Sequence, residues 1–335
     1  MSGDMTVLSH RRNTKLQRSL VVALLCLVTL LFWPLRCHDG WCDVFEPSTP
    51  LPAVTPPKRL DRELVVAKQR HEDTAWIGKY LPNWASSIYV VDDPRAQLTV
   101  PANKGREAMV YLTYLIDRYD TLPDTAIFLH ASRFQWHNDN PDYDGLLSLR
   151  NLSFSHIQEE GYVNLRCVWV LGCPVEIRPA MDAFAAAIRD PAADQEVTTK
   201  DIFKGAFEEL FPDVPVPEEV GVPCCSQFAV TKETIQQRPR EDYIRFRNWL
   251  VETQLSDSLS GRVLEYSWHI IFGKEALHCP SASHCYCKLY GLCDLTCTES
   301  DCDGRYVLPP FASLPSGWPR LGWKGEERHF ESPLM

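Results

Sequence analysis

The sequence predicts an α/β domain built on a mostly parallel sheet. Short apolar runs rich in β-branched residues alternate along the chain with segments of helical periodicity. Such alternation is typical of a sheet covered by helices on both faces. A cysteine-rich segment at residues 279–302 lies within the same region. We therefore predict one α/β domain over residues 61–306, a length within the range of a single domain.

Five strands and four helices are predicted in this domain. The strands are buried apolar runs at residues 63–68, 87–91, 125–130, 167–171 and 225–230. The helices follow from apolar spacing and cap residues, and they cover residues 73–81, 103–120, a segment after Thr231, and 240–252. The face of the second helix expected to pack on the sheet carries Ala108, Tyr111, Leu112, Leu115 and Tyr119.

The N-terminal segment is predicted to be a signal anchor. An almost unbroken apolar run, residues 20–35, is preceded by Arg11, Arg12, Lys15 and Arg18. Because basic residues collect on the cytoplasmic side, we expect a cytoplasmic tail (1–18), one transmembrane helix (19–36) and a domain in the lumen of the endoplasmic reticulum or Golgi. A cleaved signal peptide is the alternative, but no small-x-small cleavage site precedes Cys37.

The regions flanking the domain are rich in proline. Residues 37–60 are predicted to be an extended stem between membrane and domain, and residues 307–335 an irregular tail. The chain has a net charge of −10, which argues against a nucleic-acid partner. Asn151 begins an Asn-Leu-Ser sequon and is a predicted glycosylation site on the lumenal side.

The cysteine usage agrees with translocation. Of thirteen cysteines, twelve follow the apolar run. Six of them crowd into one segment: Cys279, Cys285, Cys287, Cys293, Cys297 and Cys302. In a translocated chain such a cluster favours disulfides over zinc. We expect these cysteines to staple a loop-rich end onto the α/β domain.

Polar residues follow two of the predicted strands, at the edge of the sheet where ligands bind in open α/β folds. Asp92 follows the second strand and would orient a nucleoside. Lys104 and Arg106, at the start of the long helix, would hold a diphosphate, with Gly105 allowing close approach of the ligand. His130 ends the third strand. Together they predict a site for a nucleotide diphosphate.

A metal site is a second prediction from the same region. Asp142-Tyr143-Asp144 matches the D-x-D pattern that offers two oxygen ligands to a divalent cation such as manganese. His137 is a further candidate ligand. Each candidate also has a structural interpretation, as a turn, a solvated first turn of helix or a core histidine, and the cofactor stays open.

Several motifs resemble one family. They include Asn103 to Ala108, Phe128-Leu129-His130, Trp136-His137, Glu265-x-x-Trp268-His269, and the cysteine pattern from Cys279 to Cys293. Over nearly all of residues 62–293 the chain resembles a domain of unknown function that is widespread in filamentous fungi. The resemblance implies a fungal source and no particular activity, although some members look like membrane-associated proteins of secondary-metabolite pathways.

A more distant similarity is to nucleotide-sugar glycosyltransferases of the GT-A fold. The opening strand–helix–strand that ends at Asp92 looks like their nucleotide half. The strand from Ser226 to Thr231, with Glu265 downstream, looks like their acceptor half. A type II anchor with a proline-rich stem is also how Golgi glycosyltransferases are built. That fold usually carries D-x-D directly after the strand occupied here by residues 125–130, whereas this chain has His130-Ala131-Ser132.

Three functions are open from the sequence. The first is a lumenal glycosyltransferase-like enzyme that transfers from a nucleotide sugar to a glycan or small-molecule acceptor. Glu265 would deprotonate the acceptor hydroxyl, and His130 would bind a metal or replace its charge. The alternative is a non-catalytic, membrane-anchored accessory or scaffold protein. The third is a metal-dependent hydrolase that uses His130, His137 and Asp139.

Overall fold

The structure is a computed structural model, and it describes residues 61–140, 143–189 and 196–293. The predicted tail, anchor, stem and C-terminal tail lie outside the described residues, as do Asp142, Cys297 and Cys302. Among the helices that are described, none has the length and apolar character needed to cross a membrane.

A five-stranded mixed sheet forms the centre of the described region. Its strands are β1 (Arg62–Lys68), β2 (Ala85–Val90), β3 (Thr125–His130), β4 (Tyr162–Asn164) and β5 (Phe228–Thr231). The order is β2-β1-β3-β5-β4. β1 pairs in parallel with β2 and β3, whereas β5 is antiparallel to both β3 and β4. The predicted α/β class is confirmed, but the sheet is mixed because β5 runs against its neighbours.

Helices cover the sheet and continue to the cysteine-rich segment. The described α-helices are α1 (Ala75–Tyr80), α2 (Ala108–Arg118), α3 (Gly145–Arg150), α4 (Phe154–Glu160), α5 (Pro179–Ala187), α6 (Thr199–Leu210), α7 (Lys232–Gln236), α8 (Arg240–Glu252), α9 (Asp257–Glu265), α10 (Trp268–Ile271) and α11 (Ala282–Tyr290). A short 3₁₀ helix, Tyr119–Thr121, follows α2. The predicted bounds of β3 and α8 are confirmed.

Two predictions about the elements were wrong. The strand predicted at residues 167–171 is absent from the described sheet, where β4 lies a few residues earlier. The backbone N–H groups of Cys167 and Val168 donate instead to the carboxylate of Asp139. The long helix begins at Ala108 rather than near residue 103, because Gly105 and Arg106 have φ values of 67° and 55°. Left-handed backbone of this kind cannot continue a right-handed helix.

The core has two layers, one on each face of the sheet. Alternate strand residues point to opposite faces, so Val65 and Phe128 face one layer while Leu64 and Ile127 face the other. The first layer contains α2, whose residues from Ala108 to Ile116 are all buried. The predicted apolar face of this helix is therefore buried, although Tyr119 is only partly covered.

Disulfides attach the C-terminal segment to the domain. Cys167–Cys285 and Cys173–Cys279 join it to the region after β4, and Cys287–Cys293 closes a short loop within it. The prediction of disulfides is confirmed for the four described cysteines of the cluster. A fourth bond joins the adjacent residues Cys224 and Cys225, just before β5.

Candidate functional site

A pocket of about 50 Å³ lies where the end of β3, the start of α2 and the end of α9 meet the segment leading into β5. It brings together four residues that the sequence singled out: Arg106, His130, His137 and Glu265. The full lining is Arg106, Glu107, His130, Trp136, His137, Leu171, Cys224, Cys225, Arg262, Glu265 and Tyr266.

Close backbone packing places α9 beside the start of α2. A Cβ atom on Gly261 would lie 2.9 Å from the carbonyl oxygen of Gly105, and one on Gly105 would lie 2.4 Å from a methyl carbon of Leu250. The two glycines thus let α9 and α8 approach the turn at residue 105. We predicted that a ligand would approach Gly105 closely, but Leu250 of α8 occupies that space. The close packing of α9 against Gly105 places Glu265, at the end of α9, in the pocket.

The backbone of Cys225 links the two candidate catalytic residues. Its N–H donates to Glu265 Oε1 at 2.6 Å, and its carbonyl oxygen lies 2.8 Å from His130 Nε2. A carbonyl only accepts, so Nε2 of His130 carries a proton in this arrangement. The other face of the His130 ring stacks on His137, with ring centroids 4.6 Å apart and planes 10° apart.

Glu265 is a buried carboxyl with few compensating charges. Its side chain is 11% exposed, and Arg262 Nε lies 3.6 Å from Oε2. Burial, together with the negative charge of Glu107, raises the pKa of Glu265. The Cys225 N–H, Arg262 and His130 act in the opposite direction. A carboxyl that keeps its proton to a higher pH than a surface glutamate is suited to exchange a proton with a ligand.

Two residues of the predicted diphosphate site lie elsewhere. Asp92 accepts a hydrogen bond from the backbone N–H of Arg70 at 2.8 Å, and its other oxygen lies 3.5 Å from the Arg70 guanidinium. Lys104 Nζ donates to the carbonyls of Thr253 and Val251, at the C-terminal end of α8. Neither side chain lines the pocket. Of the three, only Arg106 does, and it also donates to Ser258 Oγ at 2.9 Å.

The predicted metal ligands do not form a metal site in the described residues. Asp144 binds Arg133 through both oxygens, at 2.8 and 2.6 Å, and caps α3 by accepting from the Leu146 N–H. His137 lies in the pocket instead, with Nδ1 3.1 Å from Gln135 Oε1. The carboxylate of Asp139 is occupied by two backbone N–H groups and by the Tyr286 hydroxyl. Asp139 therefore does not offer a free carboxylate to the metal that the hydrolase hypothesis requires.

Asn151 follows α3 as its C-cap residue, and it is exposed. Its side chain therefore stands at the surface, where a glycan would have room.

The disulfide of the pocket wall is a feature that the sequence reasoning missed. Cys224 Sγ, Cys225 Sγ and a Glu265 oxygen all lie within 4.8 Å of one another. The two sulfur atoms are bonded to each other and are not free to act as thiolate ligands. The adjacent Cys-Cys pair was visible in the sequence and was a usable signal, whereas the contributions of Arg262 and Tyr266 depend on how α9 packs.

The fold and pocket define a mixed α/β domain with disulfide cross-links and a polar pocket at one edge of its sheet. A family described as "Protein of unknown function (DUF3431)" matches residues 64–288, about two thirds of the chain. The chain belongs to this family. No curated protein and no solved structure matches it.

Proposed function

We propose that the protein is a glycosyltransferase-like enzyme that uses a nucleotide sugar, with the pocket around Glu265 as its reacting centre. The observation that carries the proposal is where the pocket lies. Arg106 and His130 follow the segment whose sequence resembles the nucleotide half of these enzymes, Cys225 and Glu265 belong to the region whose sequence resembles their acceptor half, and all four line the pocket. Donor and acceptor must meet at such a junction.

The roles follow from the groups that line the pocket. When ionised, Glu265 takes the proton of the acceptor hydroxyl as that oxygen attacks the anomeric carbon. The bond from this carbon to the diphosphate breaks, and negative charge develops on the leaving group. Arg106 and Arg262 are both at the pocket, and cations there stabilise that charge. His130 donates from Nε2 to the Cys225 carbonyl and keeps the segment beneath Glu265 in place.

Asp144, which was predicted to hold a divalent cation, does not line this pocket. Metal-dependent transfer needs oxygen ligands that are free to bind the ion. The carboxylate of Asp144 is engaged by Arg133 and by the α3 backbone, and β3 ends at His130, which is followed by the uncharged Ala131 and Ser132. We therefore propose a mechanism in which the two arginines neutralise the leaving group.

The pocket is too small to hold a whole nucleotide sugar, so only part of the substrate would lie inside it. About 50 Å³ accepts a hydroxyl and the adjoining ring atoms, whereas complete ligand sites are typically about 300–1,000 Å³. The nucleotide would therefore lie on the open surface beside Arg106, which is exposed.

The proposed setting is the lumen of the secretory pathway, with a single type II anchor. Four disulfides among the described residues favour an oxidising compartment, and Asn151 is exposed as glycosylation requires. Protease added to intact microsomes should remove only the tail before Arg18. Digestion of the domain from the cytoplasmic side would contradict this topology.

A thermal-shift screen of the purified chain against nucleotide sugars, with and without manganese, tests the function. We expect at least one nucleotide sugar to raise the melting temperature, and manganese to add nothing. If none binds at millimolar concentration, the non-catalytic accessory or scaffold function replaces the enzyme.

A further inference from the structure

The disulfide between Cys224 and Cys225 holds an unusual backbone in the wall of the pocket. Cys225 and Ser226 have φ values of 91° and 49°. Non-glycine residues rarely adopt positive φ, and such a conformation persists only where the surrounding structure enforces it. A covalent ring between two neighbouring side chains is one such constraint. The disulfide between Cys224 and Cys225 is thus one constraint on the backbone of Cys225.

The same turn positions the proposed catalytic residues. The Cys225 N–H is the backbone donor to Glu265, and the Cys225 carbonyl accepts from His130. The N–H belongs to the peptide between Cys224 and Cys225, and the carbonyl to the peptide between Cys225 and Ser226, so a change in the backbone torsions of Cys225 would move both hydrogen-bonding groups. Glu265 would then lose a donor that favours its ionised form, and His130 would lose the acceptor that fixes its ring.

This bond differs in position from the other described disulfides. Cys167–Cys285 is part of the hydrophobic layer behind the sheet. Cys287–Cys293 and Cys173–Cys279 join loops outside the pocket. Both Cys224 and Cys225 line the pocket, where they are 3% and 5% exposed, and their sulfur atoms lie within 4.8 Å of an oxygen of Glu265.

We propose that the Cys224–Cys225 disulfide is a thiol-reducible switch. When the disulfide is formed, the Cys225 backbone holds Glu265 and His130 through its two hydrogen bonds, and when it is reduced, these hydrogen bonds are lost. The reductant is a small dithiol. One of its sulfurs attacks a sulfur of the pair to form a mixed disulfide, and the displaced cysteine takes a proton. The second sulfur of the reductant then closes its own disulfide and releases the other cysteine. Two electrons and two protons pass from the dithiol to Cys224 and Cys225.

The regulatory consequence rests on the proposed function, because it assumes that Glu265 and His130 act on a substrate. The effect of the disulfide on the positions of Glu265 and His130 does not rest on the proposed function. It is tested in the full-length chain carrying Cys287→Ala and Cys293→Ala, which removes the exposed short-loop disulfide. Graded dithiothreitol is followed by isotope-coded alkylation and mass spectrometry of each cysteine. Histidine-selective ¹⁵N spectra are recorded on the same samples.

We expect labelling of Cys224 and Cys225 to rise together as the dithiothreitol concentration increases. The Nε2–H signature of His130 should be lost at the same concentration, while the signals of the buried His269 stay unchanged. The double variant Cys224→Ala/Cys225→Ala should show the altered His130 spectrum without reductant. A His130 spectrum that stays unchanged in the opened or variant protein, or that changes with the labelling of Cys173 and Cys279 instead of this pair, would overturn the proposal.

Failure of the function is separable from failure of the switch. If no nucleotide sugar binds the oxidised chain while His130 responds to reduction as described, the transferase is wrong and the switch stands. If nucleotide sugars bind and turn over equally in the closed and opened forms, the switch is wrong and the transferase stands.

Discussion

Two clusters of polar residues, the turn that follows β3 and the pocket at the end of β3, use their carboxylates in opposite ways. In the turn from residue 133 to residue 144, Asp139 and Asp144 accept hydrogen bonds from the chain's own backbone and from Arg133 and Tyr286. In the pocket, Glu265 accepts one backbone hydrogen bond and otherwise lies beside Arg262 at 3.6 Å. The carboxylates of the turn are taken up by hydrogen bonds that stabilise the fold, whereas the carboxyl of Glu265 in the pocket is available for a ligand.

The comparison bears on Asp144, the residue of the D-x-D pattern that the structure describes. A carboxylate whose lone pairs are filled by backbone N–H groups stabilises a loop and is a poor metal ligand. A buried carboxyl with a raised pKa and few partners is what catalysis requires. The sequence marks the carboxylates of the turn and the carboxyl of Glu265 in the same way, by residue type and spacing. Only the hydrogen-bond partners seen in the structure distinguish a structural carboxylate from one that can act on a ligand.

The largest loss of stability should come from a substitution of Asp139 in the turn that follows β3. Asp139→Ala removes the acceptor of two backbone N–H groups and of the Tyr286 hydroxyl, all of them buried. Each unsatisfied group costs about 1–3 kcal/mol, so the free energy of unfolding should fall by several kcal/mol. Urea unfolding measures it, with Asp120→Ala as the exposed control. A loss no larger than that of the control would mean that Asp139 is not structural.

Arg106→Ala addresses ligand binding at the pocket. Loss of a charge-assisted hydrogen bond should weaken nucleotide-diphosphate binding by about 1.5–3 kcal/mol. Stability should fall only slightly, because the lost intramolecular partner is a single serine hydroxyl. Titration calorimetry measures the affinity, and Arg95→Ala, with an exposed side chain, is the matched control. Equal binding by both variants would remove Arg106 from the site.

Asp144→Ala should have a moderate effect on stability and none on metal response. It deletes the cap of α3, which costs about 0.5–2 kcal/mol, together with a partly buried ion pair. Manganese should leave the melting temperature of both the wild-type chain and the variant unchanged. A manganese-dependent rise in the wild type that the variant lacks would restore Asp144 as a metal ligand.

Glu265→Gln should show the smallest change in stability, with a distinctive pH dependence. The folded pKa of Glu265 lies above its ordinary value of 4.5. The stability it contributes is therefore fully present below about pH 4.5 and is lost as the pH rises through the folded pKa. The variant stays neutral, so it should gain stability relative to the wild type as the pH rises above about 4.5. A difference that does not vary with pH would contradict the raised pKa.

The sequence was informative where local pattern decides structure. The apolar runs of β1 and β3 and the amphipathic period of α8 are local signals, and these elements lie where they were predicted. The strand at residues 167–171 failed because a distant carboxylate, Asp139, captures its N–H groups. Propensity alone does not reveal such a contact.

The candidate site was partly predictable for a related reason. His130 ends a strand, so its place at the sheet edge followed from topology. Lys104 and Asp92 had the right chemistry at the right sequence positions, yet each is drawn to a nearby backbone group. The disulfide partners Cys167 and Cys173 lie more than a hundred residues from theirs, a separation that spacing cannot resolve.

Release of nucleoside diphosphate from a panel of nucleotide sugars tests the central claim most directly. The oxidised wild-type chain and two variants, Glu265→Gln and the exposed control Glu159→Gln, would be compared with an acceptor mixture present. We predict release by the wild type and by Glu159→Gln, and its loss in Glu265→Gln. A Glu265→Gln variant that releases diphosphate at the wild-type rate would contradict the assignment of this pocket as the reacting centre.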